Sequence, residues 1–377
     1  MASTAPSAPR VLDRAGFDAL LDRLQAGGRQ LIGPVRRDGA IGLDRIADTD
    51  DLPQGWGDRQ GAGHYRIDRR DDDALFGYAA GPDSFKRFLH PPGRVLWRAE
   101  RRPEGLSLAA VDAAEPAPAY AFLGVRACDL AAWSILDRVL RHSAFPDPHY
   151  ATIRDATLVV AVQCTAPAET CFCASMGTGP AVDAGFDLAL TELVEPGAHR
   201  FLVTAGSATG TAILATLDTR PADAGDLVAA ETALEAARRA MVRRLDTDGL
   251  ADRLKAQPEH PHWQSVAERC LACGNCTQVC PTCFCTTVTD HSDLTGARAE
   301  RVQHWDSCFT DRFAELSGGQ VRETIAARYR QWLTHKLATW VDQFGVSGCV
   351  GCGRCIAWCP TGIDLTDEAA AIREPAP

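Results

Sequence analysis

The spacing of apolar residues changes period several times along this chain. Leu12, Phe17, Leu20, Leu21 and Leu24 recur at helical spacing before Gly27-Gly28, which predicts a helix over Val11–Gln25. Arg29–Ile46 alternates around Asp38-Gly39 and predicts a β-hairpin. An apolar run at Ala119–Val125, a helical-period stretch at Leu130–Leu140 and a second apolar run at Thr157–Val162 then follow one another. Strand, helix, strand at that separation is a βαβ unit, whose crossover helix makes the two strands parallel. Phe186–Leu193 and Phe201–Ala205 read as further strands. Residues 222–256, alanine-rich with many charges, read as one long amphipathic helix or a helix pair. Near the other end, Ile325, Tyr329, Trp332, Leu333, Leu337 and Trp340 make Ser317–Phe344 mostly helical.

These elements predict an α/β (α+β) domain over residues 11–250, behind an Ala/Ser/Pro-rich tail at 1–10 that is expected to be disordered. A mainly helical, ferredoxin-like domain over 251–377 follows, with the boundary placed near residue 250, by the Pro258/Pro261 segment. Apart from a duplicated cysteine motif there is no internal repeat.

Composition narrows the function. Of 377 residues, 46% are hydrophobic and 23% charged, enough for a packed core without covalent staples. A net charge of −10 leaves no basic stripe for nucleic acid. Met1–Phe17 has no apolar core of a secretion signal, and runs such as Leu158–Val162 are too short to span a bilayer. The expected location is the cytoplasm, where fifteen cysteines point to metal or redox chemistry rather than disulfides. Their distribution is uneven: none before Cys128, four within Cys128–Cys173, and eleven within Cys270–Cys359.

Eight of those eleven form two copies of one run. Cys270, Cys273, Cys276 and Cys280-Pro281 follow the spacing C-x2-C-x2-C-x3-C-P, and Cys349, Cys352, Cys355 and Cys359-Pro360 repeat it. Three thiolates at three-residue intervals on a tight turn each reach a different iron of a [4Fe–4S] cubane, and in two-cluster ferredoxins the fourth ligates the other cluster. One cluster is therefore expected on Cys270, Cys273, Cys276 and Cys359, and the other on Cys349, Cys352, Cys355 and Cys280. Zinc prefers two separated C-x2-C pairs, so two full copies ending in Cys-Pro favour iron and sulfur. Gly274, Gly351 and Gly353 let backbone N–H groups approach the sulfurs.

A weaker constellation lies upstream. Cys128 and Cys164 each follow one of the two parallel strands, at the carboxyl edge where α/β folds place ligands, and Cys171 and Cys173 come shortly after. These four thiols are either buried free cysteines or the ligands of a third [4Fe–4S] cluster, and their placement favours the cluster. Cys283, Cys285 and Cys308 then remain. Three thiols do not complete a cubane, so they are expected to pack beside the second cluster and its following helix; a further cluster completed by His304 is disfavoured. Arg126 and Asp129 flank Cys128 and either tune a cluster or pair with each other. His260-Pro261-His262-Trp263 reads as an anchor for the cluster domain. Neither a G-x-G-x-x-G fingerprint nor a P-loop is present, so nothing supports a nucleotide site.

Taken in order, Gly124-Val-Arg-Ala-Cys128-Asp129, Cys171-Phe-Cys173, Gly185-Phe-Asp-Leu188, His260-Pro261 with Trp263, Cys280-Pro-Thr-Cys283 and Trp305-Asp-Ser-Cys308 resemble one family. It is the iron–sulfur β subunit of sulfhydrogenase-type cytosolic [NiFe] hydrogenases, related to the electron-transfer subunit of anaerobic sulfite reductase. The resemblance runs from about Gly124 to the C-terminus, with Pro91-Pro92 a fainter match upstream. It implies a heteromeric complex in which a flavin subunit with a [2Fe–2S] centre exchanges electrons with NAD(P)H. This subunit would relay them, and [NiFe] small and large subunits, or the catalytic subunit of a sulfite reductase, would hold the catalytic metal. It also strengthens the expectation of a third cluster. Since every cubane can be given four thiolates, no open iron site is required. A non-catalytic relay is thus favoured over a self-contained iron–sulfur enzyme, and over a module in which metal only holds the fold.

Overall fold

The computed structural model describes residues 7–110 and 118–373. Of the tail expected to be disordered, residues 1–6 lie outside the described residues, whereas Ser7 N donates to Ala205 O at 2.8 Å and Arg10 opens a strand of the central sheet.

An eight-stranded mixed sheet forms the centre. In spatial order its strands are Arg220–Pro221, Arg10–Asp13, Ala198–Ala205, Leu188–Glu195, Leu158–Val162, Tyr120–Val125, Gln30–Arg37 and Ala40–Arg45. The four from Leu188–Glu195 to Gln30–Arg37 run parallel, and antiparallel strands extend the sheet on both sides. Alternation explains the apolar runs. Ala121, Leu123, Leu158, Val160 and Val162 face one core with Phe17, Leu20 and Leu24, while Phe122, Val125, Val159 and Ala161 face another with Trp133, Leu136, Tyr150 and Ile153. Both faces are covered, so these strands show no polar side.

The predicted hairpin forms with its turn at Asp38-Gly39, both residues at positive φ. The first predicted helix is shorter, because Arg10–Asp13 pairs with Ala198–Ala205 and the helix runs Arg14–Gln25, capped by the Asp13 carboxylate on Gly16 N. Residues 222–256 resolve into two helices, Ala224–Ala240 and Leu250–Ala256.

The region after residue 250 is mixed rather than mainly helical. Thr286–Ser292 and Arg298–Trp305 form a hairpin between the two cysteine runs, and Arg298–Trp305 pairs antiparallel with Gly93–Arg102, itself paired with Gly105–Ala110. This four-stranded sheet carries charged side chains such as Arg98, Glu100, Arg298 and Glu300, so its strands show no apolar alternation strong enough to read. Helix begins only at Ile325, capped by Thr324, and continues through a wider π-type turn at His335–Thr339 to Phe344. It packs with His262–Ala267, Leu250–Ala256 and Leu365–Arg373 around Trp263, Tyr329, Trp332, Leu333 and Ile372. No described helix is long and apolar enough to cross a membrane.

Candidate iron–sulfur centres

The two cysteine runs adopt the same backbone. Ala272 and Gly351 take φ of 51° and 65°, Gly274 and Gly353 both take 72°, and Gly274 and Gly353 each open one helical turn, Asn275–Gln278 and Arg354–Ala357. Left-handed residues at these positions curl the loop inwards, so that N–H groups turn towards sulfur. Ala272 N donates to Cys270 Sγ at 3.4 Å, and Gly351 N to Cys349 Sγ at 3.5 Å. The fourth cysteines match as well: Cys280 Sγ lies 3.1 Å from Thr282 Oγ1, and Cys359 Sγ 3.5 Å from Thr361 Oγ1.

The runs exchange their ends. Cys270 and Cys276 sit in the field of Cys359, whereas Cys349, Cys352 and Cys355 sit in that of Cys280. An apolar cavity is lined by Cys270, Cys273, Cys276 and Cys359 together with Tyr329 and Trp332. Among the described residues no three His, Cys, Asp or Glu converge as for a single ion, while a cubane needs its four thiolates spread around a cage. The residues therefore fit such a group: four thiols, inward N–H donors and an apolar wall.

Burial pushes the thiols of Cys276 and Cys355 well above the ordinary range, and that of Cys349 up to about 12. A thiol held that way stays protonated until a metal displaces the proton. Cys280 is the exception: a hydrogen bond from Cys283 and the Lys336 ammonium hold it well below the usual range, against burial.

Upstream, Cys128 lies in the first turn of the helix Ala127–Leu140, which starts three residues earlier than its periodicity predicts. Cys164 follows the neighbouring parallel strand Leu158–Val162, and the Cys171-Phe-Cys173 loop folds back so that Cys164, Cys171 and Cys173 face one another, with Cys128 facing Cys173. Burial raises all four thiols, Cys173 to about 12. This loop is docked on the second run: Phe172 N donates to Gly351 O at 2.8 Å and Thr178 Oγ1 to Val350 O at 2.7 Å. A Cβ on Gly351 would lie 2.7 Å from Cys173 N, so only glycine permits the approach. Cys352 consequently faces Cys128, Cys171 and Cys173.

Arg126 and Asp129 do not pair through their side chains. Arg126 donates to the carbonyls of Gln163, Phe76 and Tyr78, and Asp129 accepts from Arg354, next to Cys352 in the second run. His262 pairs with Glu368 and Trp263 Nε1 donates to Gln257 O at 3.0 Å, which anchors the helix leading into the first run.

Two buried lysines escaped the sequence reading. Lys336 Nζ donates to Cys280 Sγ at 3.2 Å and Thr282 Oγ1 at 3.0 Å, and reaches Cys283 Sγ at 3.7 Å. Lys86 Nζ donates to the carbonyls of Cys280 (3.0 Å) and Cys283 (2.9 Å) and lies 3.9 Å above the Trp305 ring. Lys336 falls in register with Tyr329, Trp332, Leu333 and Trp340, a cation on the apolar face of its helix, and that pattern is visible in the sequence. Lys86 carries no such signal.

Comparison with known proteins agrees with this geometry. A family profile described as a 4Fe-4S dicluster domain matches residues 269–363. Sulfhydrogenase 2 subunit beta of Pyrococcus furiosus is 35% identical over 262 residues, covering 68% of this chain and 74% of that protein. No solved structure matches significantly.

Proposed function

Because this chain belongs to the family of sulfhydrogenase β subunits, we propose that it is a relay of three [4Fe–4S] clusters between a flavin subunit that uses NAD(P)H and a [NiFe] hydrogenase module. One cluster is held by Cys270, Cys273, Cys276 and Cys359, the second by Cys349, Cys352, Cys355 and Cys280, and the third by Cys128, Cys164, Cys171 and Cys173. Bound clusters of this type supply one-electron transfer at potentials set by hydrogen bonds, charge and burial.

The observation that carries the reading is the contiguity of the three thiol groups. Cys276 lies in the field of Cys280, and Cys355 in that of Cys276, which joins the first group to the second. Cys352 joins the second to the third. One end of the series reaches the surface, where Cys273 and Leu271 are exposed, as docking to a redox partner requires. The chain's own residues do the rest: the loops present N–H donors to sulfur, Arg354 and Lys336 offset negative charge, and Tyr329, Trp332 and Phe309 exclude water.

The test is metal analysis and partner isolation. Anaerobically purified protein is expected to contain about twelve irons and as many acid-labile sulfides per chain. Alone it accepts electrons from a strong reductant without oxidising NAD(P)H or taking up hydrogen; with flavin and [NiFe] subunits, turnover appears. Stoichiometric zinc without labile sulfide would overturn the assignment, and co-purification with a sirohaem enzyme would move the chain to sulfite reduction.

A further inference from the structure

Three of the fifteen thiols have no place in that cluster assignment, and the structure does not scatter them. Cys283 lies against Cys280, while Cys285 and Cys308, both half-buried, lie within hydrogen-bonding reach of each other. The hairpin sets the second contact. Thr286 pairs with Trp305, and Asp306 N donates to Cys285 O at 2.8 Å, so the ladder carries Cys285 opposite the segment that leads to Cys308. That segment is fixed in turn: Ser307 Oγ accepts from Thr277 Oγ1 at 2.8 Å and from Phe309 N at 3.1 Å. Cys308 is thereby held beside Cys276 as well.

The surroundings are cationic. Lys86 and Lys336 are both buried, and the strongest attractive partners of their ammonium groups are cysteines: Cys283, Cys280 and Cys285 for Lys86, and Cys280, Cys283 and Cys349 for Lys336. Two cations taken out of water need anions beside them, and here sulfur supplies them. Cys285 and Cys308 thus stand together in the field of the same buried lysine, Lys336, with Lys86 also facing Cys285. Two thiols held side by side in a cationic pocket are the starting arrangement of thiol–disulfide chemistry, and disulfides in reducing compartments are mostly of the working, redox kind.

We propose that Cys285 and Cys308 form a redox-active dithiol/disulfide couple, a two-electron site set beside the ligands of one-electron centres. The proposal rests on the iron–sulfur reading. Oxidation joins the two sulfurs in one S–S bond, releasing two protons to water and two electrons, one at a time, to oxidised carriers of the iron–sulfur class. Reduction breaks that bond and returns two protons and two electrons, delivered singly by a low-potential carrier of the iron–sulfur class. Cys283 stays outside the couple, as a donor to Cys280. The site would let the chain hold an electron pair while single electrons pass along the relay.

The experiment uses the full-length protein, purified anaerobically with its iron. Samples poised at a series of potentials with small-molecule mediators are quenched in acid, alkylated, digested and mapped by mass spectrometry. Cys285 and Cys308 are expected to be alkylated in reduced samples and joined to each other in oxidised ones, with iron and labile sulfide unchanged. In a reductive titration, Cys285→Ser and Cys308→Ser are expected to take up about two fewer electrons per chain than wild type. Two results would overturn the couple: both thiols alkylated at every potential at which iron is retained, or a loss of about four irons in either variant, which would make these residues ligands. Wild-type mapping decides the matter even where a variant folds poorly. Protein without iron or labile sulfide would instead refute the iron–sulfur reading itself, a failure visible in the metal analysis of the same samples.

Discussion

Arg354 Nη2 lies 2.8 Å from Asp129 Oδ1, and neither side chain is more than 4% exposed. The pair links the second cysteine run to the helix that carries Cys128, across 225 residues of sequence. Arg354 also donates to Gly81 O at 3.1 Å, and its charge faces Cys352 and Cys128. Removing the carboxylate strands a buried guanidinium. Asp129→Ala is therefore expected to cost about 3–5 kcal/mol, read as a lowered midpoint in anaerobic urea unfolding. Replacing both residues by leucine should recover part of that loss. A cost below about 1 kcal/mol for Asp129→Ala would mean that water reaches the pair.

The exchanged ends of the two runs make a directional prediction. Cys359→Ser is expected to alter the cluster on Cys270, Cys273 and Cys276, and Cys280→Ser the cluster on Cys349, Cys352 and Cys355. Electron paramagnetic resonance of the reduced variants separates the two signals. The opposite assignment, each variant disturbing its own run, would show that the ends do not cross.

Gly353 holds φ at 72°, and a Cβ there would collide with Thr170 O. Gly353→Ala is expected to push the Cys171-Phe-Cys173 loop away from the second run. About four irons should be lost from the third site along with signal broadening at the second, while the cluster on Cys270, Cys273 and Cys276 persists. Full iron content in this variant would show the docking to be dispensable.

His90 supplies a pH dependence. Burial, helped by the Lys86 charge, lowers its pKa to about 4, so the folded protein holds it neutral where the unfolded chain binds a proton. Between about pH 6.5 and 4 the unfolded state carries more protons, and stability falls as pH falls, by at most about 1.4 kcal/mol per pH unit. Urea midpoints measured across that window should flatten in His90→Gln. An unchanged slope would place the proton elsewhere.

Much of the central sheet was legible because its strands are buried on both faces, and continuous apolar runs such as Leu158–Val162 follow from that. The two cysteine runs were legible for a different reason, since cubane ligation fixes spacing, and the dicluster match spans both. The strands Gly93–Ala110 and Thr286–Trp305 were not, because they are largely solvated and held by ladder hydrogen bonds that any side chain permits. The Arg354–Asp129 pair was equally invisible: each residue is explicable beside its own cysteine, and only the docking of two distant loops joins them. Lys336 was readable in principle, as a charge out of place among aromatics, whereas Lys86 owes its burial wholly to tertiary contacts.

The strand pairing of Gly93–Arg102 with Arg298–Trp305 has a bearing on biosynthesis. A nascent chain meets its early strands first, and the central sheet can close once Arg220–Pro221 has been made. Gly93–Arg102, already paired with Gly105–Ala110, must then wait for its second partner some two hundred residues downstream, at a loop-closure cost of about 5 kcal/mol. Until that clasp shuts, one edge of Gly93–Arg102 stays unpaired. The last sheet to close is thus the one whose hairpin bridges the two cysteine runs, and the free edge of the early hairpin is the surface most open to wrong pairing until then.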